Sequence, residues 1–103
     1  MKVLEQLTDL ENETNYVLYF TASWCGDCRY IEPYMAEIEA QFPQYNFIKV
    51  DRDEWIDFCM ELGIMGIPSF VVVKNNKEVD RFVGRQRKTK QEVIDFLTQC
   101  EEK

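Results

Sequence analysis

The stretch Thr21-Ala22-Ser23-Trp24-Cys25-Gly26-Asp27-Cys28-Arg29 decides the fold. An apolar run, Tyr16 to Phe20, leads directly into it. Behind it Cys28, Ile31, Met35, Ile38 and Phe42 recur at helical spacing on one face. The order is therefore strand, short loop, helix, with two cysteines at the start of the helix. That position has a chemical use. First-turn N–H groups and the helix dipole favour negative charge, so a thiol there ionises more readily. Cys25, the more N-terminal and more exposed of the two, is the expected nucleophile. Cys28, one turn in, is placed to attack a mixed disulfide formed on Cys25 and release a reduced product.

Such a pair has two other uses. C-x-x-C is also a zinc-ligand spacing, but zinc normally takes four ligands. The chain has no histidine and no second C-x-x-C, so Cys59 and Cys100 would have to converge on the pair. A structural disulfide closing so short a loop would constrain the unfolded chain very little. The strand-to-helix context favours a redox dithiol.

Trp24-Cys25-Gly26-Asp27-Cys28 resembles the thioredoxin active site, Trp-Cys-Gly-Pro-Cys, with Asp27 in place of the proline. Pro33 matches the proline that kinks the family's active-site helix, Gly66-Ile67-Pro68 its cis-proline loop, and Gly84 its glycine after the last strand. The resemblance extends from about Tyr16 to the C-terminus. It implies a protein-disulfide reductase with no permanently bound cofactor. Disulfide-containing proteins would be its clients, and a flavin-dependent thioredoxin reductase or a low-molecular-weight thiol would return the electrons. It also implies a shallow apolar groove of Trp24, Met65, Ile67, Pro68 and Gly84, in which Ile67 would offer its N–H and C=O to an extended client. Gly26, Asp27 and Arg29 would support the dithiol, Arg29 either by assisting ionisation or simply as a solvated charge.

Two departures from the family pattern stand out. Thioredoxins usually carry a buried aspartate six residues before the nucleophile, where this chain has Tyr19. A phenol, with a pKa of about 10, is a poor base near neutrality. Lys49 matches the lysine that accompanies that aspartate and is expected to lack its usual partner; proton removal from Cys28 would then fall to water or another carboxylate. Asp27 is the second departure. Its charge lies near the forming thiolate and should oppose it.

The rest of the chain fits one α/β domain spanning residues 1–103. Val3, Leu4, Leu7 and Leu10 keep helical spacing, which predicts a first helix over residues 3–11 and an N-terminal edge strand that is short or missing. Asn12 to Asn15 reads as a turn, and Asn46 to Val50 as a strand closed by Asp51-Arg52-Asp53. Asp53 is expected to cap a helix over residues 54–62, with Gly63 terminating it. Residues 69–74 and 78–83 form two strands around Asn75-Asn76, a pair that tolerates positive φ. Thr89 and Glu92 make a capping box for the last helix, whose apolar face is Val93, Ile94, Leu97 and Cys100. The expected architecture is a thioredoxin fold with a central mixed four-stranded sheet flanked by helices. Cys59 and Cys100 lie on apolar faces and read as core residues.

Composition excludes some functions. A net charge of −7 argues against nucleic-acid binding, and no apolar run approaches the ~20 residues needed to span a bilayer. Met1-Lys2-Val3-Leu4-Glu5-Gln6 reaches an acid too early for a signal peptide, so a reducing cytoplasmic setting is expected. Strong charge with few exposed apolar candidates favours a monomer. A dedicated donor to one client enzyme, of peroxidase or ribonucleotide-reductase type, and a peptide-binding module without turnover are the alternative readings.

Overall fold

The computed structural model describes residues 1–103. Its strands are β1 (Lys2–Val3), β2 (Asn15–Thr21), β3 (Asn46–Asp51), β4 (Ser69–Lys74) and β5 (Lys77–Phe82). Its helices are α1 (Gly26–Ile31), α2 (Met35–Gln41), α3 (Ile56–Leu62) and α4 (Lys90–Cys100), with single 3₁₀ turns at Leu7–Leu10 and Glu32–Tyr34. The sheet runs β1-β3-β2-β4-β5; the first three strands are mutually parallel and the last two antiparallel to their neighbours.

The apolar run of β2 is explained by cover on both faces. Val17 and Tyr19 point into a layer with Ile31, Met35, Ile38 and Phe42 of the active-site helix region and Val93, Leu97 and Cys100 of α4. Leu18 and Phe20 point the other way, to Ile48, Val50, Cys59 and Ile64. The dithiol helix is thus clamped on the central strand from which it emerges. Pro33 does kink the helix: α1 gives way to the 3₁₀ turn at Glu32–Tyr34, and α2 resumes with the same apolar stripe.

Beside the four central strands runs the short N-terminal edge strand: a two-residue β1 pairs Lys2 with Ile48 and Val3 with Lys49. The helix expected over residues 3–11 is reduced to the turn at Leu7–Leu10. Leu4 is buried at the sheet edge and its N–H reaches the Lys49 carbonyl. The Asp9 carboxylate, meanwhile, accepts the Glu5 and Gln6 N–H groups, so helical geometry begins only after Gln6. Strand pairing and that local cap override the apolar periodicity.

A smaller correction concerns the entry to α3. Asp51, not Asp53, receives the backbone N–H groups of Asp53 and Glu54. At the other end of α3, Gly63 takes the left-handed conformation (φ 74°). Asn75 and Asn76 both have positive φ, 52° and 65°, in the tight turn between β4 and β5. Thr89 and Glu92 cap α4 reciprocally.

Candidate functional site

The dithiol sits where β2 ends and α1 begins. Cys25 is the extended N-cap residue of α1 (φ −85°, ψ 118°), and its Sγ accepts the Cys28 N–H at 3.2 Å. A free helix N–H is therefore already aimed at the Cys25 sulfur. Cys25 retains 8% of its surface and Cys28 only 1%. Burial pushes the Cys28 thiol up to about 11, and the hydrogen bond with Cys25 acts in the same direction. The Thr21 hydroxyl and the Ala22 backbone pull back only in part.

On one side of Cys25 is an open groove of about 490 Å³ lined by Trp24, Cys25, Met65, Ile67, Arg52 and Arg85, among others. Trp24 and Met65 are largely exposed. The Trp24 indole N–H donates to Asp53 Oδ2 at 2.6 Å, which fixes the ring beside the thiol. The Ile67–Pro68 bond is cis, and the Ile67 carbonyl lies 3.9 Å from Cys25 Sγ. Pro68 is buried behind the groove. Gly84 supports the groove from behind: a Cβ on Gly66 would come within 2.6 Å of the Gly84 carbonyl. Gly26, with nothing within 4 Å of a notional Cβ, opens the first turn of α1.

Asp27 is paired. Its Oδ1 accepts Arg87 Nε at 2.9 Å, and the Arg87 guanidinium stacks 4.3 Å over the Tyr30 ring. The repulsion expected from Asp27 is thus partly neutralised by a residue sixty positions away. Arg29 is exposed, and its Nη1 braces the Ser23 carbonyl at 3.4 Å.

Behind the dithiol is a second cavity, of about 360 Å³, lined by Cys28, Glu32, Lys49, Thr21, Asp51 and Arg29 among others. Lys49 is not without a carboxylate: its Nζ lies 2.9 Å from Glu32 Oε1. The buried Tyr19 hydroxyl donates to the same oxygen at 3.3 Å. Burial drives the Tyr19 pKa well above the usual phenol range, and Glu32 and Cys28 add to the rise, so the phenol stays a hydrogen-bond donor.

Sequence reasoning missed Glu32, although the signal was there: it lies one helical turn beyond Cys28, on the same side. It also missed Lys88, a fully buried lysine whose Nζ donates to the Gly84 and Gln86 carbonyls at 3.1 and 3.3 Å. Burial lowers the Lys88 pKa, while Cys28 and Asp27 pull it back up. Nothing in the local sequence marks that lysine as internal. Cys59 and Cys100 are buried in opposite core layers, apart from the dithiol, so the four cysteines do not converge.

A mixed sheet, a dithiol at the head of a kinked helix, and a cis-peptide loop whose Ile67 carbonyl faces the first sulfur together define a thioredoxin-fold thiol–disulfide oxidoreductase. The chain belongs to the thioredoxin family, whose family model matches residues 4–99. It is 42% identical over 85 residues to thioredoxin H-type 1 of Nicotiana tabacum, covering 82% of this chain and 68% of that protein. It is 46% identical over 71 residues to a thioredoxin H-type of Fagopyrum esculentum, covering 69% of this chain and 61% of that one. Among solved structures, Fasciola hepatica thioredoxin superposes with a TM-score of 0.80 at 33% identity, over 96% of this chain and 98% of the other.

Proposed function

We propose that this chain reduces protein disulfides, with Cys25 as nucleophile and Cys28 as resolving thiol. The observation that carries this reading is the placement of Cys25 Sγ. It accepts a helix N–H at 3.2 Å, lies 3.9 Å from the Ile67 carbonyl and opens on the groove, with Cys28 buried behind it. An extended client lies between Trp24 and Ile67, pairing its backbone with that of Ile67. The Cys25 thiolate attacks one client sulfur, the client S–S bond breaks, and the second client sulfur leaves as a thiolate that takes up a proton. Cys28 then attacks the Cys25 sulfur; an intramolecular disulfide forms and the first client sulfur is released. The client gains two electrons and the dithiol loses two.

A flavin-dependent reductase or a low-molecular-weight thiol returns those electrons. Residues 1–103 work as one domain and as a monomer in a reducing, cytoplasmic compartment, where a C-x-x-C stays available for turnover. No helix is long and apolar enough to cross a membrane. The exposed Trp24 and Met65 are the apolar surface that a client covers. Reduction of insulin disulfides by dithiothreitol tests this directly. The chain should accelerate precipitation of the reduced insulin, and Cys25→Ser should abolish the acceleration; equal rates with and without the chain would refute the reading.

A further inference from the structure

Resolution requires Cys28 to lose its proton in a place that disfavours the loss. The thiol is 1% exposed and burial pushes it up to about 11. Few groups face it. The groove side offers Cys25. Lys88 is buried too, but it is a cation and already spends two of its hydrogens on carbonyls. Tyr19, on β2, is held as a donor. The cavity behind Cys28 adds Glu32, Lys49, Asp51 and Arg29. Of its two carboxylates, Asp51 ends β3, where its Oδ1 braces the following loop through the Asp53 and Glu54 N–H groups. Glu32 is not committed to backbone. It follows Cys28 by one turn, its N–H bonding the Cys28 carbonyl, so the two side chains emerge on the same side of the helix. Lys49 at 2.9 Å and the Tyr19 hydroxyl at 3.3 Å hold one of its oxygens, Oε1, and leave Oε2 without a hydrogen bond.

We infer that Glu32, clamped by Lys49 and Tyr19, accepts the Cys28 proton through the cavity behind the dithiol. The chain thereby supplies from its helix the carboxylate that its central strand lacks. The inference rests on the proposed roles of Cys25 and Cys28. The step balances: the Cys28 S–H proton passes by way of cavity water to Glu32, and the Cys28 thiolate attacks the Cys25 sulfur. The Cys25–Cys28 bond forms as the Cys25–client bond breaks. The departing client thiolate then takes up one proton, which Glu32 returns through the same water. Lys49 and Tyr19 are positioning residues; they orient the carboxylate and balance its charge while Cys28 carries the proton.

The pH dependence follows from the proton count. With an internal acceptor, moving the proton from Cys28 to Glu32 leaves the total number of bound protons unchanged, so resolution should be level across neutral pH. Without it, the rate should track the free Cys28 thiolate and rise about tenfold per pH unit while pH stays below the pKa that burial has raised.

Stopped-flow reaction of the reduced full chain with an aromatic disulfide that releases a coloured thiolate separates the two steps. The first release reports Cys25 attack and the second reports Cys28 resolution. In Glu32→Gln the first phase should be unchanged. The second should slow about a hundredfold near pH 7, the low end of what a positioned base contributes, and acquire the steep pH slope. Glu32→Asp should recover part of the rate and the level profile, and Tyr19→Phe should keep the level profile with a smaller loss. A second phase in Glu32→Gln with the wild-type rate and slope would overturn the role of Glu32. Loss of the first phase in the wild-type chain would instead overturn the reading of Cys25 itself.

Discussion

Replacing Gly66 by alanine tests how the groove is held against the dithiol. A Cβ at Gly66 would lie 2.6 Å from both the carbonyl carbon and oxygen of Gly84 and 2.8 Å from Arg85 Cγ. Ordinary contact begins at 3.4 Å, so the opposing backbone must retreat by about 0.8 Å. It has little freedom to do so. Gly84 is held at φ 136°, and its carbonyl is one of the two acceptors of the fully buried Lys88 ammonium. Forcing a methyl into such a contact costs about 1–3 kcal/mol. At this chain length that lowers Tm by on the order of 10 °C. With Gly84 held, the Gly66 segment must give instead; it carries Ile67, so the client backbone would also be misplaced relative to Cys25, with a loss of about tenfold or more in kcat/KM for insulin reduction. Differential scanning calorimetry and the turbidity assay measure the two effects. A Tm within about 2 °C of wild type, with unchanged kcat/KM, would refute the claim that the Gly66–Gly84 approach sets the groove.

Three further outcomes are expected. Arg87→Met frees the Asp27 carboxylate beside the dithiol and should slow iodoacetamide alkylation of Cys25 by about twofold at low salt, an effect that fades as salt screens the charge; an unchanged rate at low ionic strength would count against it. Tyr45 carries a buried hydroxyl with no hydrogen-bond partner, so Tyr45→Phe should leave stability unchanged or raise it by about 1 kcal/mol in urea unfolding; a clear loss would show that the hydroxyl is satisfied. In the reduced protein, burial raises the Cys28 and Cys100 thiols from 9.0 to about 11. A raised folded-state pKa stabilises fully below the unfolded value and is lost as pH climbs through the folded one. The unfolding free energy from urea titration should therefore fall between about pH 9 and 11, by on the order of 2 kcal/mol per thiol, and the midpoint with it. A midpoint flat to about pH 10.5 would contradict that burial effect.

The elements legible in the sequence were those whose cause is local. Asn75-Asn76 made its turn because both residues accept positive φ, and Thr89 with Glu92 capped α4 within a single turn. The run Tyr16 to Phe20 became the central strand because both of its faces are covered. What was illegible depended on partners far along the chain. Val3 and Leu4 have helical spacing but are drawn to the edge of β3, a pairing that no local pattern reveals. At the site, Cys25, Cys28, Trp24 and Ile67 could be placed from motif and spacing. The neutralisation of Asp27 by Arg87, the burial of Lys88 and the clamp of Lys49 and Tyr19 on Glu32 could not, because each joins residues from separate elements.

The measurement that bears most directly on the account is a trapping experiment with Cys28→Ser. Incubated with insulin and analysed by mass spectrometry without reductant, this variant should accumulate a one-to-one mixed disulfide through Cys25 that dithiothreitol dissolves, while Cys25→Ser should form none. Adducts of equal yield in both variants, or an adduct mapped to Cys59 or Cys100, would contradict the assignment of Cys25 as nucleophile and Cys28 as the thiol that resolves it.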